Sequence, residues 1–295
     1  MKQQIPKYHY SLIACLLAAL LSACNKEEPL PVYLDLKAPT VQIAPNESAR
    51  ATVGIKDLWI EHNGSNLGVF RVPRTVPLLP DPTGDLIAVF GGIFENGLSS
   101  LRSRYPFWQP KFIELPSTAP LDSIPLSLDF EYFPDSLLVF PIDQSFESGQ
   151  DRTFEAVSSA ENYAPFSRTD EDAFHKSRSA KINLSAERNL FEMISTDFFA
   201  LPQTGNNDIY IEISYKNNIS FTAGLYYATA GLDAGELPIE LFYNSNMEWN
   251  TVYLHVNDAV REAPRNALFR MYVRANSGSE SGVIYLDNIR LVHFR

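Results

Sequence analysis

Short apolar runs separated by turn-forming residues dominate the chain from about residue 30 onward. The runs are rich in Val, Ile, Tyr and Phe, and they are interrupted by Pro residues and by Asn-Gly and Gly-Ser pairs. This spacing is typical of β-strands, and windows with helical periodicity are scarce. The pattern therefore predicts an all-β protein made of two β-sandwich domains, with a linker at residues 135–143.

The first predicted domain, residues 33–134, contains six such runs. Asn63-Gly64 indicates a tight hairpin, because both residues tolerate the positive φ angles of such a turn. Pro73, Pro77 and Pro80 indicate an edge strand or a loop, since proline cannot donate to a strand ladder. The predicted strands cover residues 33–36, 51–61, 67–72, 85–91, 111–115 and 124–130. These runs are sufficient for a small sandwich of the immunoglobulin or transthyretin type.

Several motifs of this first domain resemble a group of uncharacterised Bacteroidota lipoproteins. The motifs are Lys56-Asp57-Leu58-Trp59-Ile60, Leu67-Gly68-Val69-Phe70, Val76-Pro77-Leu78-Leu79, Gly91-Gly92-Ile93 and Tyr105-Pro106-Phe107-Trp108. The resemblance covers about a third of the chain. It implies a fold and a cellular compartment, and it brings no activity with it.

The second predicted domain, residues 144–295, opens with Phe146-Glu147 and closes with the strand Leu286-Asp287-Asn288-Ile289. This opening and this last strand resemble the galactose-binding-like jelly rolls of many carbohydrate-binding modules. The resemblance implies an architecture more than a ligand, because some jelly rolls of this kind bind no sugar. The predicted strands cover residues 179–184, 209–215, 221–227, 249–256, 267–275 and 282–291.

The N-terminus has the layout of a secretory signal peptide, predicted at residues 1–23. Lys2 and Lys7 precede an apolar stretch at residues 11–23 that is too short to span a bilayer. Leu21-Ser22-Ala23-Cys24 resembles the lipobox of bacterial lipoproteins, which implies that Cys24 is acylated and becomes the new N-terminus. Two or three acyl chains would then anchor the protein to the membrane.

The residues after Cys24 are predicted to form a tether at positions 24–32. Asn25-Lys26-Glu27-Glu28 resembles the export tag of Bacteroidota surface lipoproteins. The resemblance implies an outer-membrane protein displayed at the cell surface. The alternative is a plain charged linker on a protein that stays in the periplasm.

Charge and cysteine content restrict the partners. The formal net charge is −11, and cleavage would remove Lys2 and Lys7 without removing an acid. An acidic surface disfavours binding of nucleic acid and of anionic headgroups. Cys15 and Cys24 are the two cysteines, so a mature chain acylated at Cys24 would have neither a disulfide nor thiol chemistry.

A structural Ca²⁺ is the one cofactor that the second domain suggests. In the jelly rolls that it resembles, acids on the first and last strands often share a calcium ion, which implies Glu147 and Asp287 here. Calcium prefers six to eight oxygen ligands, so two carboxylates would form a minority of the shell. The alternative is that each acid caps a turn or accepts a hydrogen bond from a neighbouring amide.

Aromatic and charged residues on the outward phase of the second domain's strands are the candidate ligand contacts. Flat rings can cover the apolar face of a sugar while polar neighbours bind its hydroxyls. Tyr226 and Tyr272 lie out of phase with the core positions of their strands, and three charged residues share this outward phase. The predicted ligand-binding set is therefore Tyr226, Tyr272, Arg270, Arg274 and Glu212.

Phe107 and Trp108 belong to a dense aromatic cluster that also contains Arg102 and Arg104. If the cluster is exposed, it suits a protein partner, since aromatic and arginine side chains dominate such contacts. If it folds over the end of the sandwich, it is a plug. The sequence leaves both possibilities open.

Catalytic motifs are absent from the sequence. It contains no Gly-x-Ser-x-Gly elbow, no His-Glu-x-x-His helix and no phosphate-binding glycine loop. We therefore expect a non-enzymatic surface lipoprotein that binds a glycan through its jelly roll. The first alternative is a structural or adaptor subunit that binds another envelope protein. A hydrolase is the second alternative. The two carboxylates that glycoside hydrolysis needs are brought together by the fold, so they leave no recognisable motif in the sequence.

Overall fold

The computed structural model describes residues 29–41, 54–147, 149, 153–205, 207–230 and 234–295. The predicted signal peptide, Cys24 and the first residues of the predicted tether lie outside these residues. In the described ranges the regular structure is β-strand apart from one short helix, which confirms the predicted all-β class. No helix in these ranges is long and apolar enough to cross a membrane.

In the residues that the structure describes, the N-terminal block has ten strands. They are β1 (Val32–Leu36), β2 (Thr40–Val41), β3 (Asp57–His62), β4 (Ser65–Arg71), β5 (Arg74–Leu78), β6 (Leu86–Phe94), β7 (Arg102–Arg104), β8 (Lys111–Glu114), β9 (Ser123–Leu126) and β10 (Asp129–Phe130). The main sheet has the order β4-β3-β6, and both β7 and β8 pair with β6. A second sheet has the order β5-β1-β9, and β2 pairs with β10.

The turn signals of this block are confirmed. Asn63 and Gly64 have φ angles of 47° and 77° and connect β3 to β4 as a hairpin. Pro77 lies in β5, which is an edge strand of its sheet, so its missing N–H costs no interior ladder bond.

The C-terminal block contains the remaining strands and the helix. They are β11 (Leu138–Gln144), β12 (Phe154–Ala156), β13 (Phe166–Thr169), β14 (Ser179–Leu184), β15 (Leu190–Ser195), β16 (Phe199–Ala200), β17 (Ile209–Asn217), β18 (Phe221–Ala228), β19 (Ala234–Phe242), β20 (Asn250–His255), α1 (Asn257–Glu262), β21 (Leu268–Asn276) and β22 (Gly282–Phe294). Sheet I has the order β13-β14-β22-β17-β20, with β11 also paired to β22. Sheet II has the order β12-β15-β21-β18-β19, with β16 also paired to β21.

Alternating apolar residues bring the two sheets together face to face. Ile182, Ile211 and Leu286 of sheet I share one buried cluster with Leu225 and Val273 of sheet II. Burial of this kind contributes roughly 25 cal/mol per Å² of apolar surface. The core of the sandwich is therefore the space between sheets I and II.

The expected linker at residues 135–143 is mostly strand β11, which corrects the prediction. β11 pairs with the last strand from Leu138 opposite Phe294 to Gln144 opposite Ile289. Leu138 and Ile142 are buried, and the register shifts between Val139 and Ile142, around a proline that cannot donate to the ladder. The C-terminal block therefore begins before residue 144.

The N-terminal block covers the outer face of sheet I. Tyr210 of β17, Tyr253 of β20 and Val292 of β22 point away from the sandwich core and belong to the hydrophobic cluster of the N-terminal block. One outer face of the sandwich is covered in this way. The outer face that a ligand could reach is therefore that of sheet II.

Candidate functional site

Two tyrosines form the centre of the outer face of sheet II. Tyr226 of β18 and Tyr272 of β21 lie on neighbouring strands, and their ring centroids are 4.6 Å apart at an angle of 34°. Gly224 is paired with Tyr272, and a Cβ atom at this glycine would lie 2.4 Å from the Tyr272 hydroxyl. The glycine therefore leaves the space in which the Tyr272 ring lies across the strand.

Hydrogen bonds fix both rings. The Tyr226 hydroxyl donates to Glu192 Oε1 at 2.5 Å, and the Tyr272 hydroxyl donates to Glu236 Oε1 at 2.6 Å. The guanidinium of Arg274 donates to Glu236 Oε2 at 3.0 Å and lies 5.0 Å from the centroid of the Tyr272 ring. Charge-assisted bonds of this type are stronger than neutral ones, so the cluster is ordered before any ligand arrives.

The protonation states of the cluster suit hydrogen bonding at neutral pH. Burial, together with the bond to Glu192, raises the pKa of Tyr226 to about 12. Burial and the neighbouring Glu236 also raise the pKa of Tyr272. Burial alone would lower the pKa of Arg274, but its bond to Glu236 outweighs this effect and raises it. Both hydroxyls and the guanidinium therefore remain donors.

The two tyrosines differ in accessibility. Tyr272 is fully buried beneath its neighbours, whereas Tyr226 is partly exposed. The structure thus corrects the expectation that both rings are exposed ligand contacts. Tyr226 is the ring that a ligand can reach, and Tyr272 supports it from below.

A groove of about 430 Å³ is connected to the tyrosine pair through Glu192, which bonds to Tyr226, and Arg274, which lies over Tyr272, although neither tyrosine lines it. Glu192 and Arg274, which are directly opposite each other in the register, line it together with Thr222 and Asn276. Leu241 and Tyr163 supply apolar surface. Carboxylate, guanidinium, hydroxyl and amide groups beside apolar side chains can bind a ligand that carries hydroxyls on a flat ring.

Arg270 shares the outer face of sheet II, but its side chain is bound elsewhere. Its Nε donates to the Ser195 carbonyl at 2.5 Å, and its Nη2 donates to Glu155 Oε1 at 2.8 Å. Its guanidinium also lies 5.1 Å from the Phe198 ring centroid. Arg270 therefore connects β21 to neighbouring segments rather than lining the groove.

Glu212 does not join the predicted set, and this is a correction. It lies on β17 of sheet I, is fully buried, and accepts hydrogen bonds from Tyr105 and Tyr132 of the N-terminal segment. Arg290 Nη1 donates to Glu212 Oε2 at 3.1 Å. The alternation of its strand does point Glu212 away from the sandwich core, but the N-terminal block covers that face.

Phe107 and Trp108 are also corrected, because neither side chain is an exposed partner surface. They are 0% and 3% exposed. Phe107 lies 5.0 Å from Phe294, and Trp108 lies 5.8 Å from Tyr253, measured between ring centroids. These aromatic side chains pack the N-terminal block onto sheet I. The cluster is therefore folded over, as in the plug alternative, but it covers the outer face of sheet I and not the end of the sandwich.

Glu147 and Asp287 both accept hydrogen bonds from the backbone of one loop, at residues 174–178. Glu147 accepts backbone N–H bonds from Ser177 and Arg178, and Asp287 accepts them from Phe174 and His175. Burial raises the pKa of Asp287 to about 7. For Glu147 burial acts in the same direction, but the bonds from Ser177 and Arg178 outweigh it and lower the pKa.

No group of three or more His, Cys, Asp or Glu side chains in the described ranges could hold a metal ion. A calcium ion at Glu147 and Asp287 would therefore need backbone carbonyls and water for the rest of its shell. Calcium binding at this loop stays a prediction.

Sequence reasoning missed the acids Glu192 and Glu236 and the glycine Gly224, and it also missed the other residues that line the groove apart from Arg274. Glu192 is the one polar residue in the run Leu190-Phe191-Glu192-Met193-Ile194, whose alternate side chains Phe191 and Met193 are buried. This alternation was a usable signal for an outward acid.

The comparisons with known proteins find weak structural similarities. No family model matches the chain, and no curated protein matches it. A xylan-binding domain of carbohydrate-binding module family 22 has a TM-score of 0.36 and 15% identity, covering 55% of this chain and 96% of its own. The CBM22-1 xylan-binding domain of Paenibacillus barcinonensis Xyn10C has a TM-score of 0.37 and 11% identity, covering 53% and 94%.

A third solved structure comes from work on the promiscuous specificity of carbohydrate-binding modules of the β-sandwich superfamily. It has a TM-score of 0.39 and 12% identity, covering 90% of this chain and 97% of its own.

Proposed function

We propose that this protein is a lipid-anchored outer-membrane protein, displayed at the cell surface, that binds a glycan without cleaving it. The observation that carries the proposal is the Tyr226–Tyr272 pair beside the groove on sheet II. Tyr226 presents a partly exposed ring, and the groove supplies donors and acceptors within the same surface. An aromatic ring with polar groups at its rim matches the apolar face and the hydroxyls of a sugar.

The bonding of the two acids supports binding rather than hydrolysis. Glycoside hydrolysis requires one carboxyl group that holds a proton at the working pH. Glu236 forms an ion pair with Arg274 at 2.5 Å and accepts the Tyr272 hydroxyl, so its oxygens act as acceptors within the cluster. Glu192 accepts the Tyr226 hydroxyl, so its role in this cluster is that of an acceptor.

Membrane attachment is supported by the lipobox-like stretch that ends at Cys24 and by the charged residues that follow it. Phe107 and Trp108 were the surface suggested for the adaptor alternative. Both side chains are buried within the chain, so that alternative loses its particular surface.

The test is binding of the purified protein to an array of neutral polysaccharides and oligosaccharides, followed by calorimetry on the best ligand. We expect Tyr226→Ala to weaken binding at least tenfold, about 1.4 kcal/mol, because it removes the accessible ring. Tyr226→Phe should retain most of the affinity, since it keeps the ring and removes only the bond to Glu192.

Phe112→Ala is the matched control. Phe112 is an exposed aromatic residue, at 66%, on β8 of the N-terminal block. Its removal should leave glycan affinity within twofold. The proposal is wrong if no glycan on a broad array binds, or if Tyr226→Ala binds as tightly as the unchanged protein.

A further inference from the structure

A second recess lies where the N-terminal block meets sheet I. Its volume is about 220 Å³. Lys56, Arg71 and Phe94 line it from the N-terminal block, and Asn250 and Thr251 line it from β20. We refer to this recess as the junction cleft. The groove beside Tyr226 belongs to sheet II, so the two features are on different sheets of the sandwich.

The cationic groups of this region differ in how they are paired. Arg102 donates to the buried Asp57 through two bonds of 2.8 and 2.6 Å, and Arg104 forms an ion pair with Glu61 at 2.6 Å. Within the described ranges, neither Lys56 nor Arg71 has a carboxylate within 4.0 Å. Among the residues that the structure describes, the two cations that line the cleft therefore differ from Arg102 and Arg104 in having no carboxylate partner.

Arg71 is also positioned by an aromatic ring. Its guanidinium carbon lies 5.9 Å from the centroid of the Phe94 ring, and that of Arg102 lies 5.9 Å from the same centroid. A guanidinium held against a ring loses less freedom when it binds, and its planar donors match a carboxylate or sulfate group. The cleft thus combines the planar guanidinium of Arg71 with the ammonium group of Lys56.

We propose that the junction cleft binds an oxyanion carried by a glycan, either the carboxylate of a uronate unit or a sulfate ester. In a chain with a formal net charge of −11, two cations that line one cleft favour an anionic group by charge complementarity. The amide of Asn250 and the hydroxyl of Thr251 provide partners for sugar hydroxyls next to that group.

The size of the cleft limits what enters it. A volume of about 220 Å³ is below the range of roughly 300–1,000 Å³ that holds a drug-sized ligand. One charged sugar unit would therefore occupy it while the rest of the chain stays in solvent. This site is separate from Tyr226, and the inference does not depend on binding of a neutral glycan there.

The experiment measures affinity of the purified protein for polygalacturonate and for a sulfated polysaccharide, each against its neutral counterpart, in 50 mM and 500 mM NaCl. The test variant is the double substitution Lys56→Gln/Arg71→Gln. The control is Arg74→Gln/Arg188→Gln, which removes the same charge from two exposed residues elsewhere. All variants are checked for an unchanged melting temperature.

We expect the test variant to bind the charged polymer at least tenfold more weakly at low salt, with the control within twofold. The difference should shrink at high salt, because ions screen exposed charges. Preference for polygalacturonate identifies a carboxylate, and preference for the sulfated polymer identifies a sulfate ester.

Three results would overturn the inference. The first is equal loss in the test and control variants, which indicates diffuse attraction. The second is the absence of binding to either polymer. The third is binding of anionic lipid vesicles alone, lost in the test variant, which assigns the cleft to a membrane surface. Failure at Tyr226 with neutral glycans would leave all of these measurements unaffected.

Discussion

Replacing Arg290 tests how the two blocks are joined. Arg290 and Glu212 are both fully buried, and the guanidinium donates to Glu212 Oε2 at 3.1 Å and to Asp143 Oδ1 at 3.2 Å. Burial alone would lower the pKa of Arg290, but Tyr132, Glu212 and Asp143 raise it, so the residue is charged when folded. Arg290→Met keeps much of the aliphatic volume and removes the charge.

The expected cost follows from what remains behind. Removing one partner of a buried ion pair costs about 3–5 kcal/mol, because the other charge is left uncompensated. The Tyr105 and Tyr132 hydroxyls still donate to Glu212 in the variant, so we expect a loss near the lower limit, about 3 kcal/mol. The double substitution Glu212→Gln/Arg290→Met should lose less than Arg290→Met alone, since no uncompensated charge is buried.

Urea denaturation at pH 7, followed by tryptophan fluorescence and far-UV circular dichroism, measures the free energy of unfolding. Coincident transitions would show that the two blocks unfold together. Arg188→Met is the control, because this residue is exposed and a surface change alters stability by about 0.5 kcal/mol or less. A loss below about 1 kcal/mol for Arg290→Met, or separate unfolding of the blocks in the unchanged protein, would refute the reasoning.

Two further predictions concern the ion and the anchor. A calcium excess of about 100 Kd should stabilise the protein by about 2.7 kcal/mol and raise its melting temperature, and Glu147→Gln should abolish the rise. A melting temperature unaffected by EDTA would exclude a structural ion at Glu147 and Asp287. Cys24→Ser should abolish fatty-acid labelling and move the protein from the membrane fraction to the soluble fraction. Labelling that persists in this variant would place the acyl group elsewhere.

Local signals in the sequence were sufficient for most of the strands. The Asn63-Gly64 turn and the long last strand follow from turn chemistry and from alternation, which act between near neighbours in the chain. β19 was missed because Pro238 and two glutamates interrupt its apolar residues, as is common on the edge of a sheet. β11 was missed because its partner is the last strand of the chain.

The burial of Glu212 could not be predicted from the alternation of its strand. Alternation shows which side of its own sheet a residue faces, and it placed Glu212 and Tyr226 correctly on sides that face away from the sandwich core. It contains no information about what lies against that side. The N-terminal block covers Glu212 through contacts more than 75 residues apart in the chain, with Tyr105 and Tyr132, whereas Tyr226 stays partly exposed.

The two proposed sites differ in the forces that would hold a ligand, because the N-terminal block packs against sheet I and leaves the outer face of sheet II uncovered. The groove on sheet II contains Glu192 beside Arg274, and stacking on Tyr226 depends on apolar surface. The junction cleft exists only because the N-terminal block lies against β20, and its two cations act through charge. At 0.1 M salt the interaction between exposed charges decays over about 10 Å, and it decays over a shorter distance at higher salt, whereas contact between apolar surfaces does not depend on charge. Binding at the two sites is therefore separable by ionic strength in a single protein, before any residue is replaced.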